Sequence, residues 1–300
     1  MRPVIVALGN FDGVHLGHRA VLSRAAEEAR RRDGVVVAAT FWPHPRSVIG
    51  RGEPPGLLTT LEERTEELLR AGADEARVIP FDQDLSKKSP QDFVENVLIG
   101  DLGAATVVVG ENFRFGYKAS GDVGDLARLM REHGGDACAV EVRGDSAEIS
   151  STRIRALLAR GEVAEAAELL GRPYAVRGKV VVGDRRGRTI GFPTANVMPD
   201  PAVVVPERGV YACFVRVGEK DHAACTNVGV APTFERGEYR IEAHLLDFAG
   251  DIYGRIVDAR FLHRIRGEKR FSGVEELKAQ IGRDVETARR LTEAPPYFNA

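Results

Sequence analysis

The sequence predicts an α/β protein of two parts: a parallel sheet flanked by helices, then an antiparallel sheet or small barrel with a helix at its end. Three observations carry this. Up to about Arg172, short apolar runs alternate with stretches of helical period; after Tyr174 the texture changes to short β-rich runs separated by Gly and Asp turns; and a last amphipathic stretch begins near Val274. Strands buried on both faces and alternating with helices mean a parallel sheet. Closely spaced strands with tight turns pair instead with their neighbours in sequence.

In order along the chain, residues 4–8 form the first strand and a helix runs from about Gly17. Residues 35–41 are the second strand, followed by a helix from about Leu61; residues 77–80 are the third, followed by a helix from about Pro90; residues 106–109 are the fourth. The segment 152–170 keeps an apolar stripe (Ile154, Leu157, Leu158, Val163, Ala167, Leu170) and is stopped by Gly171 and Pro173. The domain boundary is expected there, giving 1–172 and 173–300. Strands follow at 176–182, 209–217, 222–228, 240–246 and 256–261. The final helix carries Leu277, Ile281, Val285, Ala288 and Leu291 on one side, which packs it on the outside of the second sheet.

Three hundred residues are enough for two cores. With 43% hydrophobic and 29% charged residues the chain is neither disordered, collagen-like nor a coiled coil. The net charge of −2 provides no field to hold it on nucleic acid or an anionic membrane, so neither is an expected partner and any phosphate is gripped locally. No apolar run reaches the length of a membrane span, and residues 4–8 are cut short by Gly9-Asn10-Phe11-Asp12 before they could form a signal-peptide core, so a cytoplasmic location is expected. Cys138, Cys213 and Cys225 are odd in number, lack a Cys-x-x-Cys pair and lie in apolar surroundings, which predicts buried free thiols. Oligomeric state is not specified.

Gly9-Asn10-Phe11-Asp12-Gly13-Val14-His15-Leu16-Gly17-His18 joins the first strand to the first helix. Glycines admit close backbone approach of a ligand, and a helix start offers unpaired N–H groups and a positive dipole end. His15 and His18 add donors for phosphate oxygens. The alternative is a plain strand-to-helix turn with surface histidines, yet a chance His-x-Gly-His is expected only about 0.02 times in a chain of this composition. Ile149-Ser150-Ser151-Thr152-Arg153-Ile154-Arg155 opens a later helix. Hydroxyls there can simply cap it, but capping needs no arginines, and hydroxyls with Arg also suit the phosphates of ATP.

In the second part, Gly187-Arg188-Thr189-Ile190-Gly191-Phe192-Pro193-Thr194-Ala195-Asn196 joins a Gly-rich loop to a strand, where Thr194 and Asn196 would share a face and offer two neutral oxygens to a hard cation such as Mg²⁺. The competing reading is a polar exposed face. Glu242 and His244 share a face of the alternating strand Arg240-Ile241-Glu242-Ala243-His244-Leu245. Each is either a solvated strand residue or a candidate base.

These stretches, together with Thr40-Phe41-Trp42-Pro43-His44-Pro45, Leu58-Thr59-Thr60-Leu61, Val109-Gly110-Glu111-Asn112-Phe113-Arg114-Phe115-Gly116, residues 226–234 and Ile252-Tyr253-Gly254, give a sequence that resembles the bacterial bifunctional riboflavin kinase/FMN adenylyltransferase (FAD synthetase) family along nearly its whole length. The resemblance implies a Rossmann-like nucleotidyltransferase domain followed by a six-stranded antiparallel β-barrel kinase domain with a C-terminal helix. It implies that riboflavin is phosphorylated to FMN and FMN adenylylated to FAD, with ATP used twice and Mg²⁺ as cofactor. ATP would meet Gly9, Phe11, Asp12, His15, Gly17 and His18 together with Ser151, Thr152, Arg153 and Arg155 in the first domain, and Gly191, Pro193, Thr194 and Asn196 in the second. Thr194 and Asn196 would hold the metal and Glu242 would be the general base, with His244 its competitor. Asn112 and Phe113 in the first domain, and Arg266, Glu268 and Phe271 in the second, would lie at the flavin. Trp42 stands where a variable, often acidic residue is expected and reads as a partly buried packing residue. The rivals are an enzyme with one silent module, a nucleotidyltransferase for another phosphorylated substrate, which leaves residues 174–300 unexplained, and a non-catalytic flavin-binding protein.

Overall fold

The computed structural model describes residues 2–50, 54–141, 149–183, 187, 190–230 and 239–293. Arg188, Thr189 and the part of the 226–234 stretch from Ala231 to Phe234 lie outside them. The chain forms two compact units, Met1–Ser151 and Thr152–Ala300.

The first unit runs β1 (Val4–Leu8), α1 (Leu16–Arg32), β2 (Val35–Trp42), α2 (Pro45–Ile49), α3 (Leu61–Arg70), β3 (Glu75–Pro80), α4 (Gln83–Lys87), α5 (Pro90–Asp92) leading into a π-helix at Phe93–Asp101, β4 (Ala104–Gly110), α6 (Val123–Glu132) and β5 (Asp136–Val140). The five strands are all parallel, in the order β3-β2-β1-β4-β5. Alternate residues of β1 feed the two faces: Val6 and Leu8 join one apolar layer with Val107, Leu98 and Leu126, while Ile5 and Ala7 join the other with Val21, Leu22 and Leu68. Both faces are therefore covered, as the continuous apolar strands require. The expected elements form; α2, α4, α6 and β5 are additional.

The second unit opens with α7 (Ser151–Leu158, its first residue still counted with the first unit) and α8 (Val163–Leu170). The segment expected as one helix is two, because Gly161 takes φ +73° and breaks the run. Six strands follow: β6 (Tyr174–Val181), β7 (Ala195–Pro199), β8 (Gly209–Val217), β9 (Lys220–Val230), β10 (Tyr239–Leu245) and β11 (Ile256–Arg266). They close into an antiparallel barrel in the order β10-β7-β6-β11-β8-β9. Val176, Tyr211, Cys213, Thr226, Ile241, Ala243, Ala259 and Phe261 are fully buried. Helix α9 (Val274–Glu293) sets Val285, Ala288 and Leu291 against Val210, Ala212, Cys225 and Ile265 on the outside of the barrel. Cys213 and Cys225 are buried free thiols, and burial pushes Cys225 up to about 12; Cys138, expected to be buried, is half-exposed because it stands on the edge strand β5.

Candidate active sites

In an open parallel sheet ligands bind beyond the carboxyl ends of the strands, where the strand order reverses. Here that point lies between β1 and β4, and the loops leaving these two strands are Gly9–Val14 and Gly110–Gly116. Phe11 and Val14 hold φ of 50° and 40°. For a β-branched valine that is an outlier, kept only where the surroundings fix it. They do so through Asp12, whose carboxylate accepts from the N–H groups of Leu58 and Thr59 at 3.1 Å, from Thr59 Oγ1 at 3.2 Å and from Arg64 Nη2 at 3.1 Å. Thr59 Oγ1 also accepts from Gly13 N, while Arg64 Nη1 and Thr40 Oγ1 donate to the Asn10 carbonyl at 3.0 and 2.8 Å. Arg64 and Asp12 are 0% and 2% exposed, and the Arg64 guanidinium lies 5.6 Å from the centre of the Trp42 ring. The Asp12 carboxylate is turned into the protein and braces the turn.

The braced turn delivers His15 as the N-cap of α1, with Nδ1 accepting from His18 N at 3.4 Å. A nitrogen that accepts carries no proton, so in the neutral ring the proton sits on Nε2. The two imidazoles stack at 3.5 Å and 18°, and Phe11 meets His18 edge-on at 5.2 Å. Gly9 N donates to the Ala39 carbonyl, and Gly17 is buried in the first turn of α1. Ser151 Oγ donates to the Asp12 carbonyl at 2.9 Å. Thr152, Arg153 and Arg155 follow on α7 in the second unit. In the loop after β4, Asn112 is exposed, and Phe113 stacks on the buried Phe115 at 5.7 Å and 14°.

In the barrel, β10 turns Ile241, Ala243 and Leu245 inward, which leaves Arg240, Glu242 and His244 on the outer face. Register puts Asn196 on β7 opposite one side of Glu242 and Asn227 on β9 opposite the other. Arg240 Nε is 3.5 Å from Glu242 Oε1. Asn196 is 5% exposed, and its Oδ1 is buried with no hydrogen-bond partner. Gly183 leaves the room it occupies; a Cβ there would run into the Asn196 amide. Thr194 precedes β7, which starts at Ala195, so it sits on the loop rather than on the strand as expected. Gly191 takes φ +90°, and the Pro193 carbonyl lies 2.7 Å from His244 Nδ1.

Arg266 is committed to structure through Nε and Nη2, which hold Asp284 of α9 at 2.7 to 3.1 Å, while its guanidinium lies 5.8 Å from the centre of the Phe271 ring. Glu268 lines a cleft of about 360 Å³ with Glu207, Arg208, Tyr239 and Arg264. Arg64 and Asn227 are site-shaping residues that the sequence did not single out. Arg64 stands in the charged run Glu62-Glu63-Arg64, where nothing distinguishes a buried arginine from a solvated one.

Two family models match the chain, FAD synthetase over residues 1–153 and riboflavin kinase over residues 170–292. The bifunctional riboflavin kinase/FMN adenylyltransferase of Escherichia coli strain K12 is 41% identical over 289 residues, covering 96% of this chain and 92% of that protein. The protein of the same name from Bacillus subtilis strain 168 is 37% identical, covering 95% and 92%. A crystal structure described as a macrolide-efflux protein from Streptococcus pneumoniae is similar at a TM-score of 0.88 and 33% identity, covering 96% of this chain and 94% of that one. Among the described residues no helix is long and apolar enough to cross a membrane. With both halves matched in order and full-length relatives above one-third identity, the chain belongs to the bifunctional riboflavin kinase/FMN adenylyltransferase family.

Proposed function

We infer that the chain phosphorylates riboflavin to FMN on the outer face of its barrel and adenylylates FMN to FAD at the switch point of its parallel sheet, using ATP in both steps. The observation that carries the kinase assignment is the row Asn196–Glu242–Asn227, a carboxylate between two amides on adjacent strands. Glu242 takes the proton of the riboflavin 5′-hydroxyl as that oxygen attacks the γ-phosphorus, and ADP leaves. Thr194 and Asn196 are the residues that would hold Mg²⁺. The orphaned, buried Oδ1 of Asn196 is the kind of neutral oxygen that a hard cation accepts. When bound, the ion supplies neutralisation of phosphate charge. Gly191 and Pro193 shape the nucleotide side of this loop, and Glu268, with Arg266 behind it, borders the flavin.

Adenylylation proceeds by direct displacement: an FMN phosphate oxygen attacks the α-phosphorus of ATP, and pyrophosphate leaves. It needs alignment and charge neutralisation more than covalent chemistry. The N-terminal turn of α1 offers N–H groups and the positive end of its dipole, and the capping bond from His18 N leaves His15 with its proton on Nε2 as a donor. Gly9, Phe11 and Gly17 allow the backbone to approach the nucleotide. Ser151, Thr152, Arg153 and Arg155 take the pyrophosphate end, and Asn112 and Phe113 the flavin side. The catalytic modules then divide at 172/173. A reducing cytoplasm, where ATP is abundant, suits three cysteines without a disulfide.

The efflux named for the S. pneumoniae structure is not adopted, because the two enzyme families account for nearly the whole chain. The test is incubation with riboflavin, ATP and Mg²⁺ followed by chromatography. FMN should appear first and FAD after it, with pyrophosphate released in step with FAD. Absence of FMN, or FMN without FAD, removes the corresponding half of the assignment.

A further inference from the structure

His244 is joined to the nucleotide loop of the barrel by a bond that backbone pairing does not supply. The last pair of the β7–β10 ladder is Ala195 with Ala243, and beyond it the β7 side continues backwards into Thr194 and Pro193. Proline has no N–H with which to carry the ladder on. The proline carbonyl remains as an acceptor, and His244 Nδ1 lies 2.7 Å from it. A carbonyl only accepts, so Nδ1 carries the proton and the imidazole is the donor. The ring is also held edge-on by Phe192 at 5.6 Å and 81°. His244 is therefore gripped by the two residues immediately before Thr194, and it stands on the same outer face of β10 as Glu242, two residues away.

We propose that His244 is a positioning residue of the kinase site, which pins Pro193 and so fixes Thr194 and the start of β7 against the strand that carries Glu242. This rests on the reading of Thr194 and Asn196 as the Mg-ATP side of that site. The Nδ1 proton is engaged with Pro193 and the ring is oriented by the loop rather than by the carboxylate; Nε2 keeps its lone pair, so the effect of substitution on kcat separates positioning from base catalysis.

The test uses the full chain and three variants of His244. The Asn side-chain nitrogen falls near the place of Nδ1, whereas that of Gln falls near Nε2, so H244N can restore the bond to Pro193 and H244Q cannot. A lost hydrogen bond of this kind is worth roughly 2- to 10-fold in affinity. H244A and H244Q should weaken Mg-ADP binding in calorimetry and raise KM for ATP in riboflavin phosphorylation by about that factor, with kcat little changed. H244N should return both to near the parent values. Collapse of kcat by roughly 10²-fold or more in H244A and H244N alike would make His244 the base, and unchanged Mg-ADP binding in all three would make it a solvated residue; either result overturns the proposal. T194A and N196A separate the underlying reading: if they too leave Mg-ADP binding unchanged, the nucleotide assignment of the loop fails, and the role of His244 with it.

Discussion

Arg64 and Asp12 form an ion pair that is almost fully shielded from water, at 0% and 2% exposure. Breaking such a pair by removing one member strands the other charge and typically costs about 3–5 kcal/mol. Arg64→Ala should therefore lower the denaturant midpoint of the first unit and, because Arg64 also holds the Asn10 carbonyl, misplace the turn that presents His15 and His18. FMN adenylylation is expected to fall strongly while riboflavin phosphorylation persists; equal loss of both activities would count against a local role. Glu242→Gln is the matching test in the barrel. Gln keeps the size of the side chain but cannot accept a proton, so kcat for riboflavin should drop by roughly 10²- to 10⁴-fold with adenylylation intact. A few-fold loss would mean that alignment alone drives the reaction. The histidines, Thr194, Asn196 and Glu242 can be proposed from the sequence because each belongs to a compact motif. Arg64 cannot, because its partner Asp12 is 52 positions away and burial of a charge leaves no local trace.

At the scale of elements, the start of α9 shows a cap made without a capping residue. Gly273 precedes the helix and has no side-chain oxygen, so Ser272 donates from N and Oγ to Glu276 Oε2 at 3.0 and 2.8 Å, and Lys269 Nζ lies 3.1 Å from Oε1. The Ser272 bonds, then Lys269, hold the Glu276 carboxyl down at about 2. A carboxyl whose folded value lies below its unfolded one stabilises the fold above the unfolded value, near 4.5, and that contribution disappears as pH falls toward 2. NMR titration of Glu276 should show the depressed midpoint, and Glu276→Gln should fray the first turn at neutral pH as acid does in the parent. A midpoint near 4.5 would show that the bonds to Ser272 do not persist in solution. The long apolar runs of β1, β2 and β4 were legible because both faces are buried. Strand β5 was not: Asp136-Ala137-Cys138-Ala139-Val140 lies at the sheet edge and none of it is fully buried. Helix α6 carries a capping box from Asp122 to Asp125 that is readable in the sequence. The break at Gly161 hides inside a stripe that continues on both sides of it.

At the scale of the whole molecule, packing and proposed chemistry divide the chain at different places. Packing divides it after Ser151 and chemistry after Arg172, so α7 and α8 lie in between. Helix α8 packs on β6 and β11, with Val163, Ala166, Ala167 and Leu170 at 0 to 2% exposure. Around it, Glu207 N donates to the Leu158 carbonyl at 2.9 Å, Arg264 Nη1 donates to the Arg160 carbonyl at 2.9 Å, and Tyr211, whose hydroxyl donates to the Glu207 carbonyl, lies against Gly161. Burying each large apolar side chain is worth about 1.5–3 kcal/mol, and a domain of this size has only about 5–15 kcal/mol in total. A fragment beginning at Tyr174 keeps every proposed kinase residue yet loses this cover. A fragment beginning at Thr152 keeps both. The expectation is that residues 152–300 unfold cooperatively and convert riboflavin to FMN without making FAD, whereas residues 174–300 have a clearly lower denaturant midpoint and less activity at 37 °C. Equal stability of the two fragments would show that α8 is an ornament of the barrel and that the sequence break at Gly171 and Pro173 is also the structural one. A folded 152–300 fragment without kinase activity would mean that riboflavin phosphorylation needs residues of the first unit.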